Sequence, residues 1–329
     1  MSMMISRRRA CAWFSIGAAL SFADIARSNE ATNAYPLSVE HALGTTTIPN
    51  RPSRIVTIGW NGEDALVALG AIPVAMPRRA LFDDGMFPWV EERIGSVKPI
   101  LLASDLDYEQ ILSLKPDLIM AVFSGIDGKA YRRLSTIAPT VTYRSAPWQA
   151  DWREQTLMTG LALGKVDVAE RLIEQTNAHL RDLAGRYSEM SARTFTFGTF
   201  SPGSAAIGVY LPSDPRIQLL LELGLVPSPG IEALAADQPG RRSGSVSLEE
   251  ISSIDADVLI MWYGPGARAA AEAQPLFNTL EAVKRGSYVA LEDPIDVWST
   301  SALSVLSIPY GFPRFVPRLA EAAARANGQ

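Results

Sequence analysis

The chain of 329 residues contains a single cysteine, Cys11, and two histidines, His41 and His179. That shortage excludes an internal disulfide and any Cys/His zinc cluster. Positive charge is not in surplus either. Thirty Lys and Arg against 35 Asp and Glu leave a net charge of −5, which argues against a general nucleic-acid binder. The chain has no Gly-x-Ser-x-Gly elbow and no Gly-rich phosphate loop. An exported hydrolase would have to rely on acid pairs such as Asp83-Asp84 or Asp293 with Asp296. No catalytic residue and no metal-ligating residue is assigned.

What is present begins with Arg7-Arg8-Arg9, an apolar run over 10–22 and a small-residue exit, Ser21-Phe22-Ala23. This is the layout of a secretory signal over residues 1–23, and the paired arginines suggest the twin-arginine export route. The run is too short to cross a bilayer as a mature helix. Cys11 stands too close to the arginines to serve as a lipid anchor. Removing 1–23 removes three arginines and no acid, which takes the charge from −5 to −8. The expected product is an exported, soluble, periplasmic protein and a monomer. Residues 24–50 are polar and turn-rich, read as an N-terminal leader with an edge hairpin around 43–48.

One block of sequence occurs twice. Tyr108-Glu109-Gln110-Ile111-Leu112-Ser113-Leu114-Lys115-Pro116-Asp117 returns 140 positions later as Leu248-Glu249-Glu250-Ile251-Ser252-Ser253-Ile254-Asp255-Ala256-Asp257. Two further echoes keep the same order, 54–59 with 193–198 and 66–73 with 220–227. Both halves alternate short β-branched strands with short helices, which predicts parallel sheets covered on both faces. The second half carries an extra segment, 204–216, between its first two echoes. Between the halves lies a proline-free stretch from 148 to 201. It reads as one helix over 152–163, a break near Gly164, and a helix of about 25 residues over 166–190. At 1.5 Å per residue the second helix spans roughly 35 Å, a rigid strut and not a flexible hinge. The expected architecture is α/β: an N-terminal lobe over 51–164, a bridging helix over 165–191 and a C-terminal lobe over 192–329. Pro309, Pro313 and Pro317 punctuate the end, before an alanine-rich helix over 316–326.

Each copy of the block opens on a capping-box pattern, Asp107 with Gln110 and Ser247 with Glu250. Glu109 and Glu249 are left at the second helical position without a capping duty. An acid there can simply complement the helix dipole. Matched acids on matched lobes can also form a two-point docking surface.

With "ALGA-I-P" and "x-E-x-I-x-x-L-K-P-D-L-I" in this order, the chain resembles the periplasmic binding proteins that deliver ferric siderophores and vitamin B12 to ABC importers. Further matching stretches are 134–140, 160–165 and 304–310, so the likeness covers roughly 51–325. The resemblance implies two Rossmann-like lobes joined by a rigid helix, a ligand held between them, and one glutamate per lobe that engages arginines of the permease subunits in the inner membrane. The matching positions are Glu109 and Glu249. No cofactor and no nucleic acid are implied, since the iron would be held by the siderophore.

In open parallel sheets ligands bind beyond the carboxyl ends of the strands. Those ends place Trp60, Arg78, Arg79, Ser124, Tyr263 and the loop-borne Trp298 in the cleft, with Trp89 closing one rim. Forked arginine donors and aromatic rings suit an iron chelate with hydroxamate, catecholate or carboxylate oxygens. A second basic pair, Arg241-Arg242, would favour a more anionic chelate such as ferric citrate. Cobalamin or haem in the same fold stays open as the alternative, although haem would usually want an axial His, Tyr or Met. Trp148 and Trp152 are expected to pack against the strut.

Overall fold

A computed structural model describes residues 35–103 and 106–326. The expected signal segment and Cys11 lie outside the described residues. A hairpin of β1 (Leu37–His41) and β2 (Gly44–Ile48) precedes the first lobe. It is docked onto that lobe, with Val39 and Ile48 buried in its core and the Ala42 amide donating to Tyr143 O at 3.0 Å. His41 is an internal link: its ring meets Thr46 Oγ1 at 2.9 Å and Thr142 Oγ1 at 3.2 Å, and burial lowers its pKa.

The N-terminal lobe is built on β3 (Ile55–Thr57), β4 (Ala75–Pro77), β5 (Ile100–Leu102), β6 (Leu118–Ala121) and β7 (Thr140–Thr142). They pair in parallel in the order β5-β4-β3-β6-β7. All four residues of β6 are buried, Leu118 and Met120 in one core cluster and Ile119 and Ala121 in another. A strand apolar on both faces needs helices on both sides, as a parallel sheet has.

The C-terminal lobe uses β8 (Thr194–Thr199), β9 (Ala206–Tyr210), β10 (Val226–Pro227), β11 (Ser243–Ser247), β12 (Val258–Trp262) and β13 (Tyr288–Leu291). Its order is β11-β9-β8-β12-β13, with β10 also pairing β8. The repeat is imperfect here, because β9 runs antiparallel to both its neighbours. β9 lies inside 204–216, the segment with no counterpart in the first half.

The helix Trp152–Leu163 and the bridging helix Val166–Arg186 fall on either side of Gly164. The bridging helix has 21 residues, followed by a 3-10 turn Ser188–Met190, so it is shorter than its sequence pattern predicts. Its stripe divides between the lobes. Ala169 is buried in the N-lobe core, whereas Leu180 and Leu183 are buried in the C-lobe core at about 1.5–3 kcal/mol each.

The prolines near the C-terminus do not act as expected. One helix, Ser307–Arg325, runs through Pro313 and Pro317. Pro309 and Pro313 are exposed and Pro317 half-buried, while Phe312, Phe315, Val316 and Leu319 are buried. On the outer face water can satisfy the carbonyls that proline leaves unpaired, so the helix continues.

A second connection joins the lobes. Residues 302–306 place Ala302 and Leu306 in a cluster with Val67, Met76 and Phe87 of the N-lobe, and Leu303 and Val305 in the C-lobe core. Asn61 Nδ2 donates to Leu303 O at 2.9 Å, and Ser304 Oγ donates to Asp64 Oδ2 at 2.5 Å.

Candidate functional site

The carboxyl ends of the strands meet in a cleft whose main cavity has a volume of about 650 Å³. Trp60 stands at its centre. Gly59, with φ 89°, lets the end of β3 lie against the end of β6, where the Trp60 amide donates to Phe123 O at 2.9 Å. A Cβ on Gly59 would sit 2.3 Å from that same oxygen. Gly59→Ala is therefore expected to cost about 3 kcal/mol through left-handed strain and overpacking, read as a lower urea midpoint. An unchanged midpoint would contradict the close approach.

Around the Trp60 ring lie Trp298 at 5.3 Å, Trp148 at 5.6 Å and Phe123 at 6.3 Å between centroids. Two smaller cavities share Trp60 with the main one. One is bordered by Tyr263 and Trp298, the other by Tyr210, Arg216 and Arg242. The result is an aromatic-walled cleft with guanidinium groups at its margins, within the size range of small-molecule sites.

The predicted residues separate into groups. Trp60, Arg78, Arg79, Ser124 and Trp298 all line the main cavity. Arg78 is exposed and its side chain has no hydrogen bond or ion pair among the described residues. Arg79 is different: its guanidinium is buried, bonded to Glu63 Oε1 at 2.7 Å and stacked 4.6 Å over Phe87. The Ser124 hydroxyl is engaged by Ala121 O at 2.7 Å. Trp298 is carried by a helix, Pro294–Ser301, and not by a loop; Asp293 caps that helix through the Ile295 amide.

The expectations for Trp89 and Arg241 are corrected. Trp89 does not close a rim: it is 3% exposed, stacks on Phe87 and donates from Nε1 to Asp64 Oδ2 at 2.8 Å. Its position at the start of the helix Pro88–Ile94 turns it into the core. Arg241 lies outside the cleft lining; only Arg242 of that pair reaches it. Tyr263 borders a cavity, but its hydroxyl is 2.6 Å from that of Tyr288, and burial raises the pKa of both.

Sequence reasoning missed Trp148 and the Asp214–Arg216 pair. Trp148 lines the cleft because Gly125 gives its indole room; a Cβ there would lie 2.2 Å from Nε1. The detectable signal was its place in the irregular stretch after β7, the same reasoning that selected Trp298. Asp214 and Arg216 come from the extra segment 204–216. Arg216 binds Asp214 through Nε at 2.7 Å and Nη2 at 2.8 Å, and lies 3.6 Å over the Tyr210 ring.

Beneath the cleft, Asp64 is fully buried, and burial together with neighbouring Glu63 pushes its carboxyl well above the usual range. Glu109 and Glu249 are exposed, and neither carboxylate has a partner among the described residues. The caps behave as read, with Asp107 Oδ1 accepting from the Gln110 amide at 2.9 Å and Ser247 Oγ from the Glu250 amide at 3.2 Å. The return half of the box differs, since Glu250 Oε2 accepts from the Ser247 hydroxyl at 3.4 Å. The second copy is a 3-10 helix, Leu248–Ile254, where the first is an α-helix, Tyr108–Ser113.

Two mixed α/β lobes with a cleft at their strand ends define a solute-binding architecture. The chain belongs to the periplasmic binding protein family, which matches it over residues 55–294. The probable siderophore-binding lipoprotein YfiY of Bacillus subtilis (strain 168) is 28% identical over 284 residues, covering 83% of this chain and 85% of that protein. The Fe(3+)-citrate-binding protein YfmC of the same strain is 27% identical over 282 residues, covering 81% and 84%. Among solved structures, PiaA of Streptococcus pneumoniae TIGR4 in complex with ferrichrome superposes with a TM-score of 0.78. It is 28% identical, with 88% of this chain and 99% of that chain covered. No helix among the described residues is long and apolar enough to cross a membrane.

Proposed function

We propose that this protein captures a ferric siderophore between its lobes in the periplasm and delivers it, as a monomer, to the permease subunits of an ABC importer. The observation that carries this reading is the cleft itself: a cavity of about 650 Å³ at the strand ends, walled by Trp60, Trp148 and Trp298 and edged by Arg78. Large aromatic surfaces bind the organic shell of a chelate, and guanidinium groups donate to its oxygens. Iron stays coordinated by the siderophore, so the protein acts by capture and without chemistry or a cofactor of its own. The relatives that bind siderophores, ferric citrate and ferrichrome support the same substrate class. Glu109 and Glu249 serve as the contact points for the importer.

The test is intrinsic fluorescence. Three tryptophans in one cleft make emission a direct reporter, and a ferric hydroxamate or ferric citrate is expected to quench it at micromolar concentration or below. Silence across hydroxamate, carboxylate and catecholate chelates would overturn the reading.

A further inference from the structure

The cleft has basic residues but little uncompensated positive charge. Arg79 is neutralised by Glu63, with side-chain exposures of 5% and 1%. On the opposite lobe Asp214, 1% exposed, holds Arg216 in a two-point pair and also meets Arg242 at 3.5 Å. One carboxylate thus bonds two nitrogens of one guanidinium and meets a second guanidinium. Arg78 and the outer edge of Arg242 remain.

The lining also carries acids. Asp107 and Asp127 line the main cavity, each capping a helix, and the Ala130 amide holds the Asp127 carboxyl below its usual range. A strongly anionic cargo would therefore meet two carboxylates on the N-lobe wall and few unengaged cations. At short range a like charge costs as much as an opposite charge contributes.

Resting on the reading of the cleft as a siderophore site, we propose that it is built for an electroneutral ferric chelate of the tris-hydroxamate class. We assign Asp214 as the residue that sets this preference by cancelling one of the two C-lobe arginine charges. Three hydroxamates balance the charge of ferric iron, whereas three catecholates leave an excess of three negative charges and citrate complexes are likewise anionic. Against that balance the aromatic wall contributes fully, because dispersion and burial do not depend on ligand charge.

Fluorescence titration of the full chain with a ferric tris-hydroxamate, ferric citrate and a ferric tris-catecholate tests the proposal. The neutral chelate is expected to bind at least about tenfold tighter than either anion, with little dependence on salt. Tighter binding of an anionic chelate, or a steep loss of affinity with salt for the best ligand, would overturn it while leaving the siderophore reading intact. Silence from all three would remove both. Asp214→Asn, which keeps the helix cap, is expected to move the preference ratio toward ferric citrate by about tenfold or more. Asp127→Asn, at an exposed cap, is expected to move it in the same direction and does not disturb a buried pair. Ratios unmoved in both folded variants would also overturn the proposal. The wild-type panel decides it where Asp214→Asn does not fold.

Discussion

Replacing Glu63 by glutamine is expected to lower the stability of this protein by about 3 kcal/mol, at the low end of what breaking a buried ion pair costs. Glu63 and Arg79 are almost completely shielded from water. An arginine cannot escape by giving up its proton, so the variant keeps a buried guanidinium without its counter-charge. The loss is held to the low end by Asp64. Burial and the charge of Glu63 raise the pKa of its carboxyl, while Arg79 pulls the other way. Without the Glu63 charge, Asp64 ionises more readily and takes over part of the pairing.

The pH dependence follows from the same arrangement. A carboxyl whose pKa is higher in the folded than in the unfolded chain binds more protons when folded. Its contribution is fully present below the unfolded value of about 4 and is lost as pH rises toward the folded value. Urea titrations of the wild type at pH 5 and pH 7.5 should show the Asp64 contribution as greater stability at pH 5. Glu63→Gln should narrow that difference. Equal stability of wild type and Glu63→Gln at neutral pH would contradict the burial of the pair.

Replacing both Glu109 and Glu249 by alanine is expected to abolish import while leaving chelate binding within about twofold. Both carboxylates are exposed and have no partner among the described residues, so their removal leaves no buried group unpaired there and is expected to change stability by less than about 0.5 kcal/mol. Contacts with permease arginines would be charge-assisted and lost together, which a two-point arrangement amplifies because each contact raises the local concentration for the other. Transport of the iron-loaded chelate into importer-containing vesicles, beside fluorescence binding, separates the two effects. Full transport by the double variant would exclude this docking role; lost binding would mean that the residues act in the cleft.

Much of the fold was legible because it rests on local patterns. The doubled block, the buried strands and the two helices around Gly164 follow from periodicity and caps, which are properties of neighbouring residues. What escaped depended on distant partners. Trp89 and Trp298 look alike in sequence, yet Asp64 draws the first into the core and the second stays half-buried against Trp60. Arg78 and Arg79 are adjacent, and only Glu63, sixteen positions away, distinguishes them. The Arg241-Arg242 pair suggested a strongly cationic wall; the acid that offsets it, Asp214, is 28 positions earlier, in the segment with no counterpart in the other half.

The irregular segment 302–306, packed into both lobes, has a mechanical consequence. A body held at one joint can swing and twist, but one held at two separated joints can turn only about the line through both. The bridging helix and the segment 302–306 are two such joints. Shearing of one aromatic wall past the other is expected to be resisted at both, which favours opening and shutting about a single axis. A rigid cargo is gripped or let go as a whole, and prising it free calls for a torque applied to both lobes together.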